Sequence, residues 1–484
     1  METLEAKAGY EAGLKEFVAR ERAAVELLSA AGQLMYGKGV ELVFYRDQLL
    51  DISTSEALKR FHYAQDVVQK PIDVFTCAQV AKALLDMDLA PSKIDIAKLT
   101  WEFTQGGKRD LDKFLSTALG GFIGIDKHKF EPRDVVLYGF GRIGRIAARE
   151  LVKQAGKGQQ LRLRAIVTRT LTDEEIVKRA ALLRSDSVHG AFKGSVVEDI
   201  PGKALIINGQ RVLLIAASNP EDIDYTVHGI SNALIIDNTG AFTKREALGR
   251  HLKAKGVSKV ILTAPGKEMP NIVYGINHKE LDVDNEQLFS AASCTTNAIS
   301  PVLKVMEDQI GIEKGHIETV HAYTNDQNLL DNYHKKPRRG RSAAINMVIT
   351  STGAGSAVTK AIPSLKDKLT ANAVRVPTPN GSLAIMSLNL KRQVTRDEVN
   401  ELIRHAALNG DLVNQIHYQI DPELVSSDII GDSCCSVFDS TATIVGPDGK
   451  SAVLYAWYDN EFGYTKQVIR LAKYVAKVRR LIYY

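Results

Sequence analysis

Cys294 stands in the stretch Ser290-Ala-Ala-Ser-Cys-Thr-Thr-Asn-Ala298, between the apolar run QLFS and the helical pattern ISPVLKVMED. A structural thiol favours apolar neighbours, and this one has small polar ones. A thiol at a helix start meets free backbone N–H groups, which favour the reactive thiolate. Thr295, Thr296 and Asn297 are capping types and offer donors beside it. A nucleophilic cysteine needs a base, and His321, in the strand-like stretch ETVHAYT, is the candidate.

Groups that can hold an anion follow the histidine. Lys335-Lys-Pro-Arg-Arg-Gly-Arg341 is a compact basic stretch. Ser351-Thr-Gly353 is a turn of hydroxyls and glycine, able to present N–H and O–H to a phosphate. Arg375, in ANAVRVPTPNGS, suits a bidentate phosphate contact.

An electron acceptor is implied upstream. The apolar run Val135-Val-Leu-Tyr138 leads into Gly139-Phe-Gly-Arg-Ile-Gly144 and then the helical RIAARELVKQA. In this setting Gly139 permits a tight turn, Gly141 lets backbone approach a pyrophosphate, and Gly144 lets helix and strand pack closely. An acid to hold the adenosine ribose belongs roughly 20 residues further on. The second strand instead ends Ile166-Val-Thr-Arg-Thr170, and the first acid is Asp173. Arg169 is placed to meet a 2′-phosphate, so either NAD or NADP is expected, with a tilt to NADP. A reactive cysteine beside a nicotinamide cofactor implies aldehyde oxidation through a thioester.

These residues need elements to position them. Short apolar runs at ALIIN, RVLLIA, ALIID and KVILTAP, with helical pieces between some of them, predict a parallel α/β sheet. After residue 315 the strands HIETVHAYT, NAVRVPTP, SLAIMSLNLKRQ and SAVLYAWYD alternate in polarity, as a mainly antiparallel sheet requires. The last segment, TKQVIRLAKYVAKVRRLIYY, reads as a basic amphipathic helix docked on the first sheet. Residues 1–132 read as an all-α extension, with Ser53, Thr54, Ser92 and Asp110 as helix-opening types and no cluster of catalytic residues. The expected organisation is α/β: an extension over 1–132, a Rossmann-type dinucleotide-binding domain over 133–294 with helix 461–484 packed back on it, and an α+β catalytic domain over 295–460.

Composition narrows the function classes. A net charge of +5 over 484 residues gives no reason to infer nucleic acid. The acidic N-terminus METLEAKAGYE lacks the apolar core of a secretory signal, and no long apolar run predicts a membrane helix. Four cysteines are too few for a disulfide scaffold, which fits a reducing cytoplasm. Cys77 and the pair Cys434-Cys435 read as packing residues. No metal site is expected.

From about residue 133 onward the chain resembles phosphorylating glyceraldehyde-3-phosphate dehydrogenases. GFGRIGR, DSVHG, NTGAFT, SCTTN, RVPTPN and WYDNEFGY occur in that family's order. The resemblance implies that Cys294 forms the thiohemiacetal and then the thioester, with His321 as base. It implies cofactor contacts at Arg142, Ile143, Thr263 and Asn460, the last orienting the carboxamide. It places the substrate's phosphate at Thr324 and Arg375. It places the attacking inorganic phosphate at Ser293, Thr295, Arg339, Thr352 and Gly353. The implied reaction makes 1,3-bisphosphoglycerate from glyceraldehyde 3-phosphate, in glycolysis or gluconeogenesis, and the implied assembly is a homotetramer. Erythrose-4-phosphate dehydrogenase, which hydrolyses its thioester, is the nearest alternative. A regulatory or docking role through residues 1–132, with a protein partner, is a further one. The chain departs from the family's usual residues at Tyr138, the TRT stretch, Asn219, Asn332-Tyr333 and Ala298.

Overall fold

The computed structural model describes residues 2–107, 109–124, 128, 130–153 and 155–484, with side chains from Gly9 onward. The chain forms two compact units. One comprises residues 1–132, 154–160 and 478–484, and the other residues 133–153 and 161–477.

The larger unit carries the dinucleotide-binding sheet. Its eight strands run in the order Leu288–Ser290, Val257–Leu262, Ala233–Asp237, Arg133–Tyr138, Leu161–Thr168, Gln210–Ala216, Ala204–Ile207, Val196–Asp199. The first six are mutually parallel, and the last two add an antiparallel edge. Val135, Val136 and Leu137 are fully buried, as a strand with both faces covered requires. The chain winds outward from Arg133–Tyr138 first one way and then the other. The carboxyl end of that strand is therefore the topological switch point, where such sheets bind ligands. The helix Arg142–Val152 starts there.

The second sheet runs Val348–Thr350, Leu369–Val376, Ile312–Ala322, Ser382–Leu390, Ser451–Tyr458, Ser436–Asp439, Ile416–Gln419. Its neighbouring strands are antiparallel except for two parallel pairs. One of those, Ile312–Ala322 beside Leu369–Val376, registers His321 with Arg375. Helix Cys294–Gln309 packs against this sheet and joins it to the first.

Among the described residues the smaller unit holds the helices Glu2–Lys38, Thr54–Asp66, Val74–Ala83, Ile96–Thr104 and Leu111–Ala118. It also holds a sheet, so it is not all-α. The order is Asp47–Gln48, Glu41–Phe44, Ser92–Asp95, Leu481–Tyr483. Ser53 caps its helix in a reciprocal box with Glu56, and Asp110 caps the fifth helix. Ser92 is not a cap. It is fully buried in a strand, and Asp95 caps the next helix through the N–H groups of Ala97 and Lys98.

The C-terminal helix also differs from expectation. It spans Phe462–Val475 and packs on Arg142–Val152, but the last residues leave it. Lys477 has φ +56, a left-handed turn that ends the helix. Leu481–Tyr483 then pairs in parallel with Ser92–Asp95. Arg480 is buried against Glu41 at 3.1 Å. The apolar LIY can satisfy helix or strand periodicity, and a distant sheet edge decided between them.

Candidate active site

Cys294 is the first residue of its helix, and Ser293 is the cap. The Ser293 Oγ accepts from the Thr296 N–H at 3.0 Å. Before it, Ala292 has φ +55, a costly conformation for a residue with a Cβ. It turns the chain from strand Leu288–Ser290 into the helix. Two contacts hold it: the Ala292 N–H donates to Ser290 Oγ at 3.0 Å, and Tyr464 Oη donates to the Ala292 carbonyl at 3.0 Å.

His321 Nε2 lies 3.5 Å from Cys294 Sγ. His321 Nδ1 lies 2.7 Å from the Ala322 carbonyl. When Nδ1–H donates to that oxygen, Nε2 turns its lone pair to the thiol and can take its proton. The Ala322 carbonyl also accepts from Arg375 Nη1 at 2.7 Å. Burial pushes the Cys294 thiol up, against the pull of Arg375 and Thr295. Burial, and then Arg375, push His321 down to about 3. The resting pair is therefore neutral thiol and neutral imidazole. The helix start alone does not hold the cysteine as thiolate, contrary to the simple expectation, because desolvation of the half-buried site outweighs it.

Of the candidate anion ligands, Arg375, Thr324 and Arg339 are joined to one another and to the histidine strand through Ala322 and Asp326, and Thr295 follows Cys294. The Thr324 hydroxyl accepts from Arg375 Nη1 at 3.4 Å and donates to Asp326. Arg375 Nε is buried without a partner among the described residues. Arg339 pairs with Asp326 and donates from Nε to Thr350 Oγ1 at 3.1 Å. Thr352 Oγ1 accepts from the Ala354 N–H at 3.2 Å, and Gly353 precedes the helix Ala354–Ala361. Thr295 Oγ1 is within 3.1 Å of Tyr458 Oη.

The glycine loop fits a dinucleotide. Gly139 has φ +92. A Cβ on Gly144 would lie 2.5 Å from the Gly139 carbonyl. A Cβ on Gly141 would meet nothing within 4 Å, so the space above the helix start is open. The Arg142 side chain is turned away to Glu461 (Nη2 to Oε2, 2.6 Å), which leaves the backbone N–H groups of Arg142 and Ile143 facing the loop's end. Thr263 follows strand Val257–Leu262 and donates through N–H and Oγ1 to the Asp237 carbonyl, each at 3.0 Å. Asn460 is buried, and its Oδ1 accepts from Ser382 Oγ at 2.8 Å. Arg169 is exposed at the end of its strand, with no hydrogen bond or ion pair among the described residues. Asp173, the first acid after it, opens the helix Asp173–Arg184.

Three contributors were not legible in the sequence. Glu461 joins Arg142 to His189 (2.8 Å), Asp326 joins Thr324 to Arg339, and Tyr458 bridges toward Thr295. The only signal for Glu461 and Tyr458 is their closeness to Asn460 in sequence.

A doubly wound sheet with a glycine loop at its switch point, beside a cysteine–histidine pair formed by a helix start and a second sheet, is the arrangement of a dinucleotide-dependent oxidoreductase. Comparison with known proteins makes that assignment specific. Residues 133–245 match the family model "Glyceraldehyde 3-phosphate dehydrogenase, NAD binding domain", and residues 293–460 match "Glyceraldehyde 3-phosphate dehydrogenase, C-terminal domain". A "Glyceraldehyde-3-phosphate dehydrogenase-like protein" of Pseudomonas aeruginosa (strain UCBPP-PA14) is 46% identical over 457 residues, 93% of this chain and 98% of its own length. The glyceraldehyde-3-phosphate dehydrogenase of Clostridium pasteurianum is 40% identical over 351 residues, 72% of this chain and 99% of its own. Glyceraldehyde-3-phosphate dehydrogenase 1 of Bacillus subtilis (strain 168) is 41% identical over 344 residues, 71% and 98%. The chain belongs to the glyceraldehyde-3-phosphate dehydrogenase family, and it is an oxidoreductase with a nicotinamide dinucleotide-binding domain. The Pseudomonas match covers more of the chain than the part after residue 132 can supply, so that relative shares the extension. Among the described residues no helix is long and apolar enough to cross a membrane.

Proposed function

We propose that the protein oxidises glyceraldehyde 3-phosphate with inorganic phosphate and NAD or NADP, giving 1,3-bisphosphoglycerate in the cytoplasm, as a step of glycolysis or gluconeogenesis. The observation that carries this reading is the 3.5 Å approach of Cys294 Sγ to His321 Nε2, with His321 Nδ1 and Arg375 Nη1 both on the Ala322 carbonyl. His321 takes the thiol proton as Sγ adds to the aldehyde carbon and passes it to the carbonyl oxygen, giving the thiohemiacetal and a neutral imidazole again. Thr324 and Arg375 hold the substrate's phosphate, and Arg375 Nε is a buried donor with capacity to spare. His321 then removes the hydroxyl proton of the thiohemiacetal. Gly139, Gly141, Gly144, Arg142, Ile143, Thr263 and Asn460 hold the nicotinamide dinucleotide, which when bound supplies the hydride acceptor. The thioester remains on Cys294. Ser293, Thr295, Arg339, Thr352 and Gly353 bring inorganic phosphate to it, the C–S bond breaks, and the acyl phosphate leaves. Phosphate dependence tests this: turnover at full rate in phosphate-free buffer would remove the phosphorolytic reading and favour hydrolysis.

Arg169, exposed and unpaired at the ribose end of the site, supports use of NADP. Arg169→Asp should lower kcat/KM with NADP by at least tenfold relative to NAD; a native enzyme with a strong NAD preference would refute the assignment. Leu329, Leu330, Tyr333, Ile345 and Met347 are exposed apolar residues in one stretch of the dehydrogenase unit, which supports its burial in a homo-oligomer, as in a tetramer. The smaller unit serves as an interaction module, because it is folded and carries no catalytic cluster among its described residues. Sedimentation of the chain with and without that unit tests this.

A further inference from the structure

Beyond the glycine loop, a guanidinium–carboxylate pair stands at the carboxyl ends of the first sheet's strands. Strand Leu161–Thr168 lies between Arg133–Tyr138 and Gln210–Ala216. The three are parallel, so their carboxyl ends point the same way. Tyr138 ends the first, Arg169 follows the second and Asn219 follows the third. The Ala217 N–H donates to the Thr168 carbonyl at 2.9 Å, which keeps the second and third loops side by side. Arg250 comes to this row from the turn Arg250–Lys253. Its Nη2 donates to Asn219 Oδ1 at 2.9 Å and to Glu221 Oε1 at 2.8 Å, and its Nε donates to Glu221 Oε2 at 2.9 Å. Its guanidinium also lies over the Phe242 ring at 5.6 Å, and that ring meets Tyr138 edge-on at 6.1 Å. Arg250 thus spans from the third strand end toward the first, across the end that carries Arg169.

The second strand ends without the acid that would hold a ribose hydroxyl. Glu221 brings a carboxylate to the neighbouring strand end instead. A carboxylate accepts from ribose hydroxyls and repels a phosphate, whereas a guanidinium binds a phosphate through two parallel N–H donors. The Arg250 and Glu221 side chains are 33% and 30% exposed, so both are open to a ligand. Arg250 Nη1 has no hydrogen-bond partner among the described residues, which leaves a donor for an incoming anion. Burial, and then Asp237, push the Tyr138 phenol up, while Arg250 and Arg169 both pull it down, so both guanidiniums act on one hydroxyl. We propose that Glu221 and Arg250 together select the group on the adenosine ribose, Glu221 favouring the free 2′-hydroxyl of NAD and Arg250 the 2′-phosphate of NADP. A 2′-phosphate draws Arg250 off Glu221, and the carboxylate opposes that exchange. The proposal deepens the reading of Arg169 as a 2′-phosphate ligand and rests on it.

Calorimetric titration of the full chain with 2′,5′-ADP and with 5′-AMP tests it without turnover. The readout is the ratio of the two dissociation constants on one protein sample, so partial loss of folded chain cancels. The native chain is expected to bind 2′,5′-ADP more tightly. Arg250→Gln should cut that preference by about fivefold or more, and Glu221→Gln should raise it by about threefold or more. A pair that only braces the fold is broken by either change. The two variants would then move the ratio the same way or not at all, and either result would overturn the proposal. If Arg169→Asp lowers the preference while Arg250→Gln does not, the selector pair falls and the reading of Arg169 stands. If the native chain binds 5′-AMP as tightly as 2′,5′-ADP, the reading of Arg169 falls and takes this proposal with it.

Discussion

At the scale of single residues, Cys294 and His321 are tuned by burial more than by the helix end. A neutral His321 held down at about 3 keeps its lone pair available across the working pH range. Replacing it with Asn should lower kcat by roughly 10²–10⁴-fold, the usual span for losing a general base. His321 also has a stability signature. In the unfolded chain it takes up a proton near pH 6.5, and in the folded chain it resists until about 3. Stability therefore falls as pH drops through that window and levels off below it. Thermal denaturation of wild type and His321→Asn from pH 7 to 4 should show the smaller decline in the variant. The glycines make a second contrast. Gly144→Ala forces a Cβ to 2.5 Å from backbone and should cost about 1–3 kcal/mol. Gly141→Ala should change stability by less than about 0.5 kcal/mol yet weaken dinucleotide binding, because its Cβ enters the open space of the cradle. Melting curves and dinucleotide titrations separate the two.

At the scale of elements, the helix Phe462–Val475 is tied to the helix after the glycine loop by a buried ion pair. Lys466 Nζ donates to Glu150 at 2.7 Å, and Lys153 holds the other carboxylate oxygen at 2.9 Å. Burial raises the Glu150 carboxyl, but the two lysines outweigh it and bring it down to about 2. Its contribution is present above the ordinary carboxyl range and is lost as pH falls toward 2. Glu150→Gln leaves Lys466 buried and uncompensated and should cost about 3–5 kcal/mol. A change of Tm under about two degrees at pH 7 would contradict this. The same C-terminal helix carries Tyr464, which holds the strained Ala292 before the nucleophile.

At the scale of the whole molecule, the smaller unit is not a simple N-terminal appendage. It takes in residues 154–160 and 478–484 as well as 1–132. Leu481–Tyr483 completes its sheet, and Arg480, with its side chain 3% exposed, sits against Glu41. Truncation after Lys477 should therefore leave the smaller unit open to limited proteolysis while the dehydrogenase unit stays resistant. Equal protease resistance of the full and truncated chains would refute that. Removal of the unit for functional tests requires deletion at both ends of the chain.

The sequence by itself placed several strands of the dehydrogenase unit and singled out the residues proposed to carry its chemistry. Its strands ALII, QRVLLIA, ALIID and VSKVIL are where apolar runs between turn residues place them. Cys294, the glycine loop and the anion-binding types stand in local patterns whose physics is local: caps, tight turns and helix starts. Tertiary structure alone decided three matters. The pairing of Ile312–Ala322 with Leu369–Val376 brought Arg375 onto His321, because register is set by a sheet and not by spacing. Burial set the protonation of Cys294 and His321, because desolvation depends on everything packed around a group. The last residues became a strand because an unpaired edge 389 residues away, from Ser92 to Leu481, offered them backbone partners that a solvent-exposed helix end could not.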